Sequence, residues 1–340
     1  MNKFLLSLIL GCICVTSCDK KWPFLNTSEK ELTINVHRFD VLVEDYVSSS
    51  NFASLQKMKT EYPQETKILI ENVLNIGSVS DPNINEKLRN FYTDTTVSKL
   101  RKDVSAKFKD MRALNRQLTK AFRKLIEEKK SIRIPQIYTQ ISALNQSIVV
   151  SDSIIGISLD KYLGADYPLY KRFYYADQLN TMEASRIATD CLVFYLTSEF
   201  PFSKQSNTGK AQLLDFIVFT GKIHWIVGKL MGHNSLQSQL GFTQEHSRWC
   251  EKNEKEIWTN LNKSGLLHTT DSAAIYSIVF CQNNKNISGM NENNYNGIGL
   301  WIGIRIIDAY MHNHPECTIG ELLDMQNYRN IFRSSGYKPL

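Results

Sequence analysis

Leu100, Val104, Phe108, Met111, Leu114, Leu118, Phe122 and Leu125 recur at steps of three and four, an apolar stripe that predicts one long amphipathic helix over residues 99–130. Residues 34–43 alternate partly between apolar and polar, the spacing of a half-buried strand, and residues 51–74 return to helical spacing. Three short β-branched runs follow, at residues 132–141, 148–150 and 154–159. They predict two or three strands of one small sheet, with Pro135 interrupting the first or placing it at an edge. Beyond Tyr167-Pro168 the pattern is helical, with helices expected at 184–199, 211–231, 243–262, 298–312 and 318–332. Thr318-Ile319-Gly320-Glu321 has the form of a capping box, and Ser264-Gly265 that of a helix stop. The fold class that results is α+β, predominantly helical, with a small sheet in the N-terminal half.

At 340 residues, 42% hydrophobic and 22% charged, the chain has the composition of a folded body and not of a disordered one. The first residues depart from that composition. Met1-Asn2-Lys3 is a short basic start, Phe4 to Val15 an apolar run, and Thr16-Ser17 precede Cys18. A run this short is an export signal and not a span, because a helix crossing the hydrocarbon core needs roughly 20 apolar residues. The ending Val15-Thr16-Ser17-Cys18 resembles a bacterial lipobox, which makes Cys18 the expected lipid-anchor residue; a signal cut elsewhere, or retained as an anchor, is the alternative. The expected organisation is a signal peptide over 1–17, a lipid-anchored tether over 18–31 and a single domain over 32–340, strand-containing to 170 and helical from 171.

Charge is unevenly placed. Between Ser98 and Lys130 there are 12 Lys and Arg against 4 Asp and Glu, a local +8 in a chain whose net charge is +6. A solvated helix face accounts for this, and so does contact with anionic headgroups or an acidic partner. Nucleic acid is not an expected partner, since no aromatic residues interleave on the charged face. Cys191, Cys250, Cys281 and Cys317 remain after the leader, without a CxxC pair, and are compatible with free thiols or with disulfides.

Motifs for catalysis are scarce. No HExxH, HxxEH or G-x-S-x-G occurs, and no cofactor fingerprint is present. His312-Asn313-His314 with Glu316 fits a helix end better than a metal site. Lys222 and His224 interrupt the most apolar segment, Leu213 to Met231. Asn296-Gly297-Ile298-Gly299 before Trp301 places amides where an anion could sit, or makes a tight turn before a closely packed helix. Trp249, Asn253 and Glu256 share one helix face with Glu254 and Trp258 beside it, a set that suits a ligand or a core-facing amphipathic helix.

Several of these segments together resemble the gliding-motility lipoprotein GldB family of Bacteroidetes. They are Gly156-Ile157-Ser158-Leu159-Asp160-Lys161-Tyr162-Leu163-Gly164-Ala165-Asp166-Tyr167-Pro168-Leu169-Tyr170, Gly221-Lys222, Gly241-Phe242-Thr243 and Trp249-Cys250-Glu251-Lys252-Asn253-Glu254. Gly297-Ile298-Gly299-Leu300-Trp301-Ile302-Gly303, Tyr310-Met311 and Ser335-Gly336-Tyr337-Lys338-Pro339 complete them. The resemblance implies an outer-membrane or periplasm-facing lipoprotein of the envelope, associated in some relatives with gliding and surface-protein export; because Asp19-Lys20-Lys21 is not a clear surface-export tag, the expected position is the outer membrane facing the periplasm. It also implies a degenerate zincin-like body in which residues 187–194 lack the metal-binding histidines and Thr220-Gly221 stands where a ligand pair is expected. On that reading Lys222 puts a cation where a metal once sat and pairs with an acid such as Asp190.

The expectation is a non-catalytic, membrane-anchored lipoprotein with an envelope protein partner and no cofactor; a hydrolase with an unrecognised site and a peptide- or glycan-binding lipoprotein are the alternatives. Lys222, His224, Asp190, Asn253, Glu254, Gly297, Gly299 and Trp301 are the candidate groove residues.

Overall fold

From Thr33 the chain runs extended, with Ile34 and Val36 turned inward, and His37 forms a single parallel bridge to Tyr138. The strand expected to reach Val43 stops there. At Phe39 the buried positions change spacing to Phe39, Asp40, Val43, Tyr46 and Val47, and α1 (Phe39–Ser49) begins. A computed structural model describes residues 32–202, 210–233, 235–281 and 297–339, so Cys18, the expected tether and the side chain of Cys281 lie outside the described residues. Contacts divide the chain after Leu32, and the helices and the sheet belong to the unit Thr33–Leu340.

Five α-helices follow α1 before the sheet, α2 (Phe52–Thr60), α3 (Pro63–Lys67), α4 (Ile84–Thr93), α5 (Thr95–Lys107) and α6 (Arg112–Glu128), and α3 runs on into a π-helical turn over Ile68–Val73. Asn51 caps α2 and Asp94 caps α5, each side chain accepting from two backbone amides of the first turn. The single helix expected over 99–130 is therefore two. Phe108 turns inward and is buried, Arg38 donates to its carbonyl, and Asp110 accepts from the Arg112 amide to start α6.

The sheet has three strands, β1 (Gln136–Gln140), β2 (Ile148–Ser151) and β3 (Ile154–Ser158), in the order β1-β3-β2. β3 is central, parallel to β1 and antiparallel to β2. Pro135 thus precedes an edge strand, where a missing amide costs least. Gly156 lies opposite Tyr138, and a Cβ there would come 2.6 Å from the tyrosine hydroxyl.

The second half is helical: α7 (Ala176–Leu179), α8 (Ile187–Glu199), α9 (Leu213–Met231), α10 (Leu236–Leu240), α11 (Gln244–Lys263), α12 (Ser272–Tyr276), α13 (Ile298–Asn313), α14 (Ile319–Asp324) and α15 (Tyr328–Ser335). α9 is the hub, packed against α6, α8, α13, α14 and α15. The capping box at Thr318 is present, with Glu321 returning to the Thr318 amide at 2.8 Å. The helix expected to run on to residue 332 is broken, because Asn327 caps a new start at α15 and the Met325 carbonyl is taken by Lys222. No helix among the described residues is long and apolar enough to cross a membrane.

The architecture gives no support to a degenerate zincin. Its sheet is three short strands placed after six helices, and Gly221, expected beside a lost metal site, faces the backbone of Gly303 on α13. Among the described residues no group of three or more His, Cys, Asp or Glu is placed to hold a metal ion.

Candidate functional site

Lys222 is 1% exposed, and its ammonium donates to the carbonyls of Leu323 at 3.0 Å and Met325 at 2.8 Å, closing the C-terminal end of α14. Its Nζ also stands 5.6 Å from the Tyr328 ring centroid. The expected pair with Asp190 does not form. Asp190 is instead bound by Arg186, one helical turn before it, at 3.1 Å and by the Tyr162 hydroxyl at 3.0 Å, so its carboxylate is already taken. His224 is held in its helix, its carbonyl accepting from Gln239, while its Nδ1 has no partner among the described residues. Burial, with Arg186 nearby, pushes the imidazole down to about 3, so it is neutral at physiological pH. Lys222 thus ties α9 to the end of α14, and His224 is enclosed as a neutral ring.

Burial also pushes Lys222 down to about 8 from the 10.5 of an exposed lysine. Between those values the unfolded chain binds the extra proton, so this group's contribution to stability rises with pH across that window and is level below it. Lys222→Met removes both donors and leaves two interior carbonyls unmet, a cost of about 1–3 kcal/mol. Urea unfolding of both proteins at pH 7 and pH 10 is expected to show that cost, larger at the higher pH. A cost that shrinks with pH would contradict the assignment.

A different region gathers charged groups at a surface. One face of α13 carries Arg305, Asp308 and His312 at steps of three and four, while Ile304, Ile306 and Ile307 are buried. Beside that face lie α11, the end of α15 and the tail that follows it, with Trp225 and Lys229 of α9, and together they enclose a cleft of about 790 Å³. Glu254 on α11 is its fixed point. Both carboxylate oxygens lie 3.1 Å from Arg305 Nε, and Oε1 accepts from the Tyr337 hydroxyl at 2.8 Å. Gly336, with φ of 60°, ends α15 and turns the tail so that Tyr337 reaches α11, where Trp258 packs edge-on against it. On the opposite wall the Trp225 indole donates to Asp308 at 3.0 Å, and Lys229 lies 4.7 Å from the Trp225 ring. Nε is spent on Glu254, but the two terminal amino groups of Arg305 have no partner among the described residues, and its side chain is 43% exposed. That edge is the fork that binds a carboxylate or phosphate through two parallel hydrogen bonds.

Of the expected groove residues, the cleft takes in Glu254 alone. Asn253 donates back to the Trp249 carbonyl within its own helix. The buried residues of α11 are His246, Ser247, Cys250, Ile257 and Leu261, so Trp249 and Trp258, both half-buried, flank the core. Gly297 is a left-handed cap, and Gly299 sits where a Cβ would meet the Ile278 carbonyl at 2.8 Å, so these glycines admit close packing. Trp301 is 1% exposed and lies parallel to Phe242. His314 stacks on Tyr310, with Nδ1 2.8 Å from the Tyr310 carbonyl at the end of α13. Cys191, Cys250 and Cys317 are free thiols. Sequence reasoning missed Arg305, Asp308 and Tyr337; the signal for the first two was a pair of charges three apart in an otherwise isoleucine-rich helix.

Compared with known proteins, residues 22–339 match a family model described as "Gliding motility protein GldB". No curated protein and no solved structure matches the chain.

Proposed function

The chain belongs to the gliding motility protein GldB family, and from that premise we propose that it is a lipoprotein of the bacterial cell envelope, held on a membrane by acyl chains on Cys18, whose folded body binds an envelope protein and catalyses no reaction. The cleft carries the binding part of this reading. It offers a rigid charged frame, Arg305–Glu254–Tyr337, with the outer edge of Arg305 left for a partner's acidic group. Of the hydroxyls that line it, the buried Ser335 gives its proton to the Phe332 carbonyl at 2.6 Å and Tyr337 gives its proton to Glu254 at 2.8 Å, where it completes the charged frame. A partner held by such a frame is recognised by geometry and charge, which sets specificity more than raw affinity.

The anchor follows from the lipobox. A Cys18 thiol carrying diacylglycerol buries methylenes at about 0.8 kcal/mol each, and two or more chains give stable anchoring to a bilayer. Asp19-Lys20-Lys21 is not a clear surface-export tag, so the proposed position is the side of the outer membrane that faces the periplasm. The test is fractionation of cells expressing the wild-type chain and Cys18→Ala, with mass spectrometry of the mature N-terminal peptide. The expected result is a wild-type protein in the membrane pellet with diacylglyceryl-Cys18 as its first residue, and a Cys18→Ala protein lacking the lipid. An unmodified Cys18 in membrane-bound protein would show that something other than acyl chains holds it there.

A further inference from the structure

Basic side chains are concentrated on one arc of α6. The helix buries Leu114, Leu118, Ala121, Phe122 and Leu125, and the arc away from them carries Arg112, Arg116, Lys120, Arg123 and Lys124. At 3.6 residues per turn those five side chains fall within about a third of the circumference. Arg112 is paired with Asp110, whose carboxylate also feels Arg116, but Lys120 and Lys124 are paired with no acid among the described residues.

The chain also enters the folded unit on this helix. The Ile34 amide donates to Thr119 Oγ1 at 2.9 Å and the Val36 amide to Asn115 Oδ1 at 3.2 Å, so two backbone groups at the start of the body are tied to α6. Asn115 and Thr119 lie beside the basic arc, next to Arg112 and Arg123 in the helical projection. Cys18 lies fifteen residues before Thr33, a length that reaches at most about 50 Å fully extended. An acyl anchor on that leash keeps the entry point, to which α6 is bound, within that reach of the bilayer.

We propose that the basic face of α6 rests on the anionic phospholipid headgroups of the membrane that holds Cys18, giving the body a second, electrostatic attachment and a fixed orientation. The proposal rests on the lipidation reading above. A headgroup layer is favoured over an acidic protein because the exposed residues of α6 include no large apolar or aromatic side chain, the anchors on which a protein interface depends. No residue of α6 lines the cleft, so the cleft is left open when α6 is covered.

The experiment separates this attachment from the acyl chains. The chain from residue 18 onward, carrying Cys18→Ser, is sedimented with phosphatidylcholine vesicles containing phosphatidylglycerol and with phosphatidylcholine alone. Binding is expected only to the anionic vesicles and is expected to fall as salt rises. Each basic residue near such a surface strengthens binding about fivefold, so Arg116→Gln/Lys120→Gln/Lys124→Gln together weaken it roughly 100-fold. These positions are partly or fully exposed, so circular dichroism is expected to be unchanged. Removing the same number of charges elsewhere, as Lys57→Gln/Lys59→Gln/Lys67→Gln, leaves most of the binding in place. Equal binding to both vesicle types, no binding to either, or an equal loss in the two triple variants overturns the proposal. The anchor reading fails separately, by an unmodified Cys18 in the wild-type chain.

Discussion

Gly303→Ala is expected to unfold at a far lower urea concentration than the wild-type chain, although it adds a single methyl group. α9 and α13 cross at Gly221 and Gly303, and each glycine faces the other helix's backbone. A Cβ on Gly303 would lie 2.1 Å from the Ile217 carbonyl oxygen and 3.0 Å from the Gly221 Cα, and one on Gly221 would lie 2.2 Å from the Gly303 carbonyl carbon. Backbone cannot swing aside as a side chain does, so the two helices must separate, and α9 carries the packing of α8, α14 and α15 with it. Alanine gains about 1 kcal/mol in helix propensity over glycine. Overpacking a core costs about 1–3 kcal/mol where side chains yield, and a clash against backbone on this scale is expected to exceed about 3 kcal/mol net. Urea unfolding of Gly303→Ala measures it, with Gly232→Ala as the comparison. Gly232 has open space around its Cβ but φ of 73°, so its cost is the left-handed penalty of about 1–2 kcal/mol. Equal midpoints for the two variants would contradict the crossing.

Asp160→Ala is the second large effect. Asp160 is fully buried and accepts from the Ser142 amide at 2.9 Å and the Leu144 amide at 2.6 Å. Between and at those donors the chain takes a conformation that side chains resist, with φ of 53° at Ala143 and 69° at Leu144. The carboxylate holds that turn beside the sheet, while the Tyr170 hydroxyl donates to the Asp160 carbonyl at 2.5 Å from the other side. Burial pushes the carboxyl up, and the amide donors pull it back. Removing the side chain leaves two amides unmet, at about 1.5–3 kcal/mol for each hydrogen bond to a charged group, and releases the strained turn. A loss of at least about 3 kcal/mol is expected in urea unfolding, with faster hydrogen exchange at Ser142 and Leu144. Asp160→Asn, which keeps one acceptor oxygen, should lose less. A loss below about 1 kcal/mol with unchanged exchange would show that the turn stands without Asp160.

Spacing alone located α8, α9, α11 and α13, because their apolar residues recur over ten or more positions, and local signals such as Thr318 and Gly265 marked helix ends. The short α7, α10 and α12 and the break between α14 and α15 were not legible. It failed where a distant residue decides the geometry. The stripe through Phe108 reads as continuous, yet Arg38, 70 residues away, takes the Phe108 carbonyl at the turn. Residues 34–43 alternate well enough for a strand, but only His37 finds a partner in the sheet before the buried spacing becomes helical. The cleft was legible only at Glu254. Its partners Arg305 and Tyr337 lie 51 and 83 residues away in sequence, and nothing local marks them as neighbours. Lys222 stands out as a charge in an apolar helix; its partners are two carbonyls just over 100 residues away, which no side-chain pattern reveals.

The most direct test of a binding body on a lipid anchor is photo-crosslinking in cells from Met311, on the cleft wall, with a crosslinker at exposed Phe52 as the comparison. A cleft that holds a partner gives a discrete, light-dependent adduct with an envelope protein from Met311 and none from Phe52. That adduct should be lost in Arg305→Glu and much reduced in Arg305→Lys, which keeps the charge but not the two-pronged edge. No adduct from Met311, or one indifferent to both Arg305 variants, would contradict a binding role for the cleft.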